Sequence, residues 1–167
     1  PDGMVPFGIE ISKGLAGRSG PVFRSRGGDV VNAPALEGLD SFPDNFFDRA
    51  ILRSYLEHEL QPRAVLEKLY RKMRAGGSAA VKVPDYGCIG RHVMGPKWCG
   101  FRYPDHQNYF TRRTLTDLAR TAGFTCRFTN ICPGMNDNLY AILQKPGEAE
   151  PSGSAPADGQ RRPATAA

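Results

Sequence analysis

One stretch limits the folds open to this chain more than any other. Residues 47–52, Phe-Asp-Arg-Ala-Ile-Leu, form a short run of largely apolar composition, which suits a strand buried on both faces. Pro62 then opens a helical pattern in which Val65, Leu66, Leu69 and Met73 recur on one side. Basic residues crowd its last turn, and Gly76-Gly77 supplies the stop. Ser78 to Val83 reads as the next strand, ended by Pro84. Two strands joined through a helix cannot close as a tight hairpin; they run parallel, with the helix crossing one face. A parallel sheet needs cover on both faces, so the chain is committed to an α/β layer structure.

The flanking sequence extends this alternation. Val5 to Ile11 and Asp29 to Ala33 read as two further short strands, the second closed by Pro34. Between them Gly14, Gly17 and Gly20-Pro21 predict a helix that is short or broken. Residues 85–110 read as irregular and aromatic. Thr111 suits the N-cap of a helix carrying Leu115, Leu118, Ala119 and Ala122, stopped by Gly123. Phe124 to Ile131 and Leu139 to Gln144 complete the set. Pro133-Gly134 and Asn136-Asp137-Asn138 lie between them, a turn chemistry that favours an antiparallel pair. From Pro146 to Ala167 the chain has no aromatic or large aliphatic residue, so it buries too little to offset its ordering entropy. The expectation is one domain over residues 1–145 and a disordered tail over 146–167.

Charge and cysteine content exclude several classes. The formal net charge is +5, and the densest basic group, Lys68, Arg71, Lys72 and Arg74, lies on one helix. Without interleaved aromatics, that group reads as a solvated face complementing the helix's negative end rather than as a nucleic-acid surface. No apolar run is long enough to span a bilayer, and the first residues lack the basic-then-apolar order of a signal peptide. A cytoplasmic protein with no membrane partner is expected. Cys88, Cys99, Cys126 and Cys132 show no C-x-x-C spacing. Cys88 with His92, or Cys99 with His106, would not give the two tight ligand pairs of a structural zinc site, so reduced thiols and no metal are expected.

Ligands of parallel sheets bind beyond the carboxyl ends of the strands. Glu10 ends the first strand. A carboxylate there can accept from two vicinal hydroxyls, as on a ribose, or simply favour the start of a helix. Asn32, ending the second, could bond a base edge or form a turn. The third strand runs into Arg53-Ser54-Tyr55-Leu56-Glu57-His58, a concentration of polar and aromatic groups. His58 and His106 could each act as a general base toward a hydroxyl, or be structural histidines tied to backbone. Trp98, Phe101, Tyr103, Tyr109 and Phe110 could line an apolar pocket or pack their loop onto the sheet.

Taken in order, these pieces resemble a known family. Phe47-Asp48 through Leu52, then Leu56-Glu57-His58, is similar to the fourth-strand motif of class I S-adenosylmethionine-dependent methyltransferases. Leu66-Glu67-Lys68-Leu69-Tyr70-Arg71-Lys72-Met73 with Gly76-Gly77 resembles the family's following helix and turn, and Val83-Pro84-Asp85 its fifth-strand ending. Trp98, the run Pro104-Asp105-His106-Gln107-Asn108-Tyr109-Phe110-Thr111, Thr114-Leu115 and Ala122-Gly123-Phe124 resemble a small-molecule branch of it. The resemblance covers about residues 7–145 and implies a Rossmann-like, mostly parallel sheet with a C-terminal antiparallel hairpin.

The resemblance also implies roles. Glu10, with Ile11 beside it, matches the acid that holds the cofactor's ribose, and Asn32 and Ala33 match positions beside the adenine. Arg53, Ser54 and Tyr55 match the wall near the sulfonium. His58 and His106 become candidate catalytic bases, and Trp98, Tyr103 and Tyr109 candidate substrate contacts. The implied cofactor is S-adenosyl-L-methionine, and the implied reaction is methyl transfer to an oxygen or carbon nucleophile of a small molecule. The family's first strand and its glycine-rich turn have no counterpart before Glu10, so the domain is expected to be partial and weak alone, with two open sheet edges that invite self-association. A non-catalytic remnant serving as partner or scaffold, and a nucleic-acid methyltransferase, are the alternatives.

Overall fold

A computed structural model describes residues 3–129 and 135–147. In chain order it contains β1 (Phe7–Ile9), α1 (Lys13–Arg24), β2 (Asp29–Val31), α2 (Ala35–Asp40), β3 (Phe47–Arg53), α3 (Pro62–Lys72), β4 (Met73–Pro84), α4 (Ile89–Met94), a single 3₁₀ turn (Gly95–Lys97), α5 (Arg112–Thr121), β5 (Thr125–Phe128) and β6 (Asn138–Gln144). None of the described helices is long and apolar enough to cross a membrane. The expected tail beyond Gly147, Cys132 and the Pro133-Gly134 turn lie outside the described residues.

The expected α/β fold and its C-terminal hairpin are both present. The strands form two sheets: β1 with β2, and β3-β4-β6-β5. Pairing is parallel in β1–β2 and β3–β4, and β6 is antiparallel to both β4 and β5. Among the described residues β1 hydrogen-bonds only to β2 and β3 only to β4, so each keeps an open edge. The sheets are joined instead by rings. Phe7, opening β1, sits with its centroid 5.1–6.4 Å from those of Phe42, Phe46 and Phe47, the last opening β3. Gly38 of α2 provides a second join. A Cβ there would lie 2.4 Å from Ile9 Cγ2, so the absence of a side chain lets β1 dock on the helix.

The core belongs to the four-stranded sheet. Ala79, Val81 and Val83 of β4 alternate inward, as do Leu139, Ala141 and Leu143 of β6. Val65, Leu66 and Leu69 of α3 and Leu115 and Ala119 of α5 cover that face. α5 begins at the Thr111 cap, where the Thr111 and Thr114 hydroxyls and backbone amides bond reciprocally. It ends at Gly123, whose φ of +97° few other residues adopt.

Four expectations need correction. β3 is not buried on both faces: Leu52 is buried, but Ile51 is 79% exposed and Asp48, Arg49 and Arg53 face solvent, because α3 and α5 cover one side of this sheet alone. α1 is continuous through its glycines and Pro21. Ser12 caps it, accepting from Leu15 N–H, and the helix survives the one donor that Pro21 removes. α3 stops at Lys72, and Met73 is already extended, pairing with Phe47. Residues 85–110 are not wholly irregular, since α4 and the 3₁₀ turn fall within them.

Candidate active site

The carboxyl ends of β1 to β4 carry Glu10, Asn32, Ser54 and Asp85 at their next positions. Glu10 is half-buried, and one of its carboxylate oxygens accepts from Ser12 N–H at 2.8 Å. A carboxylate has capacity for several donors, so this bond orients the group without exhausting it. Asn32 donates its side-chain amide to the carbonyls of Glu10 (2.8 Å) and Ile11 (3.0 Å). That ties the end of β1 to the end of β2 and leaves the Asn32 side-chain oxygen as the acceptor suited to an exocyclic amine. The Ile11 side chain is exposed, and Ala33 is half-buried at the turn into α2. A pinned acid with an amide beside it, at the ends of two parallel strands, fits the ribose and adenine of S-adenosylmethionine.

The third strand end is built differently. Ser54 has φ +50° and donates its N–H to Lys82 O at 2.9 Å, turning the chain sharply out of β3. Arg53 points to the uncovered side of the sheet, near Ile51 and Tyr140. Tyr55 is half-buried, and its hydroxyl donates to the Glu59 carboxylate within the same turn. Burial and that carboxylate both push the phenol well above its ordinary pKa. Of the three residues, Ser54 alone borders a cavity of about 350 Å³ that opens beyond β3 and β4.

That cavity is where His58 and His106 meet. The turn after β3 is stitched to the loop before α5. Gln107 and Asn108 donate their backbone N–H groups to Glu57 O at 2.7 and 3.0 Å, and the Asn108 side chain donates to Leu56 O and Glu59 O. The stitching sets the two imidazoles edge to face, 4.8 Å between centroids. His106 is 6% exposed, with Nδ1 2.8 Å from Gly100 O; His58 has Nδ1 2.9 Å from Asp105 O. A carbonyl only accepts, so each Nδ1 carries a proton, and in the neutral ring the lone pair is on Nε2. Glu57, 2% exposed, lies beside them, its Oε1 3.9 Å from His58 Nε2. Lys82, Arg102, Asp105 and Asp137 complete the charged lining.

The aromatic residues divide. Trp98 is 1% exposed and does not border the cavity; its Nε1–H donates to Asp137 Oδ1 at 2.9 Å. Cys88 donates to the same oxygen at 3.3 Å, and burial, reinforced by Asp137, pushes its thiol above the ordinary value. Trp98 therefore holds the 88–100 segment against the start of β6. Tyr109 packs among Tyr86, Phe101 and His106, behind the imidazole rather than in the opening. Tyr103 is 85% exposed and projects outward. Of the two roles open to these aromatics, Trp98 and Tyr109 take the packing one, Tyr103 takes neither, and charged side chains border the cavity.

Glu57, Lys82, Arg102 and Asp137 are charged site residues that the sequence reading does not single out. Glu57 was visible as the acid preceding His58 at a strand end. Asp137 reads as a turn former, and Lys82 as an ordinary strand residue.

The methyltransferase-domain family model matches residues 3–127. Among solved structures, a SAM-dependent methyltransferase from Thermotoga maritima superposes with a TM-score of 0.62 at 24% identity, over 83% of this chain and 72% of that one. One from Archaeoglobus fulgidus gives 0.59 at 16% identity, over 83% and 75%. The 1,6-didemethyltoxoflavin-N1-methyltransferase of Burkholderia thailandensis, with bound 1,6-didemethyltoxoflavin and S-adenosylhomocysteine, gives 0.61 at 17%, over 86% and 62%. No curated protein matches the sequence. With its residues 3–127 matched, this chain belongs to the S-adenosylmethionine-dependent methyltransferase family, whose cofactor is S-adenosylmethionine.

Proposed function

We propose that this domain serves methyl transfer to an oxygen or carbon nucleophile of a small molecule. The observation that carries the proposal is the cavity of about 350 Å³ beyond β3 and β4, with the His58 and His106 Nε2 lone pairs beside it. Its volume suits a small acceptor. S-adenosylmethionine, when bound, supplies the electrophilic methyl group. Glu10 would hold the ribose hydroxyls and Asn32 the adenine, orienting the donor toward Ser54. His58 and His106 would orient the acceptor and take its proton at Nε2.

The basic face of α3 argues against a nucleic-acid acceptor. Lys68 pairs with Asp40, Lys72 with Asp44, and Arg74, which the structure places on β4 rather than on the helix, with Asp48, at 2.7–3.0 Å, so three of the four basic groups are engaged within the fold. One observation favours the partner-or-scaffold alternative: the open edges of β1 and β3 divide the sheet between the Glu10 and Ser54 ends. The same edges are the surfaces through which self-association would occur.

Calorimetry with S-adenosylmethionine tests the reading. Saturable 1:1 binding, weakened at least about tenfold by Glu10→Ala, is expected from the loss of a charged hydrogen-bonding partner. Binding indifferent to Glu10→Ala would remove the proposed cofactor pose. No binding at all would favour the scaffold reading. Steeply salt-dependent RNA or DNA binding would move the acceptor to nucleic acid.

A further inference from the structure

The trio Glu57, His58 and His106 has a donor chemistry that proton transfer alone does not use. One ligating atom from each lies within 4.8 Å of the others. Both imidazoles are fixed through Nδ1 to backbone carbonyls, Asp105 O and Gly100 O, so in the neutral ring the lone pair sits on Nε2 of each. That is how proteins set the tautomer and ring orientation of metal-ligating histidines. Glu57 supplies the second, independent sign. Its side chain is almost wholly buried, yet Oε2 has no hydrogen-bond partner among the described residues. A buried carboxylate oxygen left without a partner is costly, and a bound cation would supply one. His58 Nε2, at 3.9 Å, is beyond hydrogen-bonding distance.

We propose that Glu57, His58 and His106 bind one divalent transition-metal ion, through a carboxylate oxygen and the two Nε2 atoms. Two imidazoles and one carboxylate suit Zn²⁺, Mn²⁺ or Fe²⁺ in preference to Mg²⁺ or Ca²⁺, which favour all-oxygen sets. Three protein ligands leave positions open toward the cavity, the pattern of a catalytic rather than a structural site. Cysteine spacing does not bear on these three ligands, none of which is a cysteine. In the methyl-transfer reading the two histidines would then hold an acceptor oxygen through the ion instead of taking its proton directly. That consequence rests on the proposed function; the ion site does not.

The test uses the full 167-residue chain, stripped with chelator and titrated with Co²⁺ in the absence of S-adenosylmethionine. One equivalent should bind with visible d–d absorption, and Zn²⁺ should displace it. Glu57→Gln and His58→Ala should each weaken Co²⁺ binding at least tenfold, while His92→Ala, on exposed α4, should leave it unchanged. Glu57→Gln nearly preserves size and removes the charge, so it carries the test if a histidine variant fails to fold by circular dichroism. Three results would overturn the proposal: no saturable binding, binding unaffected by both variants, or an intense thiolate-to-cobalt band in the near ultraviolet, which would put the ion on cysteine. Because no cofactor is present, a negative result here is distinguishable from failure of the methyl-transfer reading.

Discussion

The two sheets divide the labour unequally. The β1–β2 pair carries Glu10 and Asn32, yet none of its strand residues is fully buried. The four-stranded sheet holds almost the whole core and, at one end, the cavity with its two histidines. The groups proposed to hold a nucleoside thus stand on the lightly anchored half, and those proposed to face an acceptor stand on the well-packed half. Regions with few buried apolar contacts open at lower free energy than packed ones. A ligand that touches both halves would therefore order the first against the second.

The largest test of that contrast is a pair of truncations. Leu66→Ala, in the centre of the α3 packing, should cost about 2–5 kcal/mol in chemical denaturation. Ile9→Ala should cost about half as much, since Ile9 is half-buried against Gly38 and less apolar area leaves water. Equal costs would mean that the sheets form one cooperative unit. An intermediate effect is expected from Trp98→Phe, which keeps an aromatic ring but leaves Asp137 without the indole N–H. About 1–3 kcal/mol should be lost. Hydrogen exchange should accelerate in α4 and β6 while the β1–β2 amides hold their rates, and a matching acceleration in β2 would contradict the division.

The smallest effect concerns pH. Asp85, at the end of β4, is held above the usual carboxylate value by burial, although Gly87 N–H and Arg112 pull the other way. The folded state therefore keeps this proton to higher pH than the unfolded chain does. Stability falls as pH rises from the ordinary carboxylate value through the raised one, and it stays lowered above. Asp85→Asn, which can still accept from Gly87, should remove that fall and leave the protein slightly more stable at neutral pH. Urea midpoints measured between acidic and neutral pH would show the slope vanish, and an unchanged slope would assign it to another group.

Much of the four-stranded half is legible in the sequence, because its signals are local. The spacing of Val65, Leu66 and Leu69, the Thr111 cap and the glycine at 123 each fix an element from neighbours a few residues away. The same local logic places Glu10, Asn32 and Ser54 at strand ends. What stayed hidden depends on distant partners. Trp98 is buried because Asp137, far along the chain, accepts its N–H. Glu57 is enclosed because the backbone of residues 107 and 108 closes over its carbonyl. The one-sided cover of β3 was equally invisible, since an apolar run does not say how many layers will reach it.

Lys145 bears on where this domain can be cut. Its ammonium donates to Tyr70 O, Met73 O and Asn45 Oδ1 at 2.7–3.1 Å and lies 4.8 Å from the centre of the Tyr70 ring. It thereby gathers the carboxyl end of α3, the start of β4 and the turn before β3 with a single positive charge, placed where a helix end is negative. A minimal version made for crystallisation or spectroscopy should therefore retain residue 145. A boundary drawn one position earlier would keep every strand and still release the knot that holds three of them to the helix.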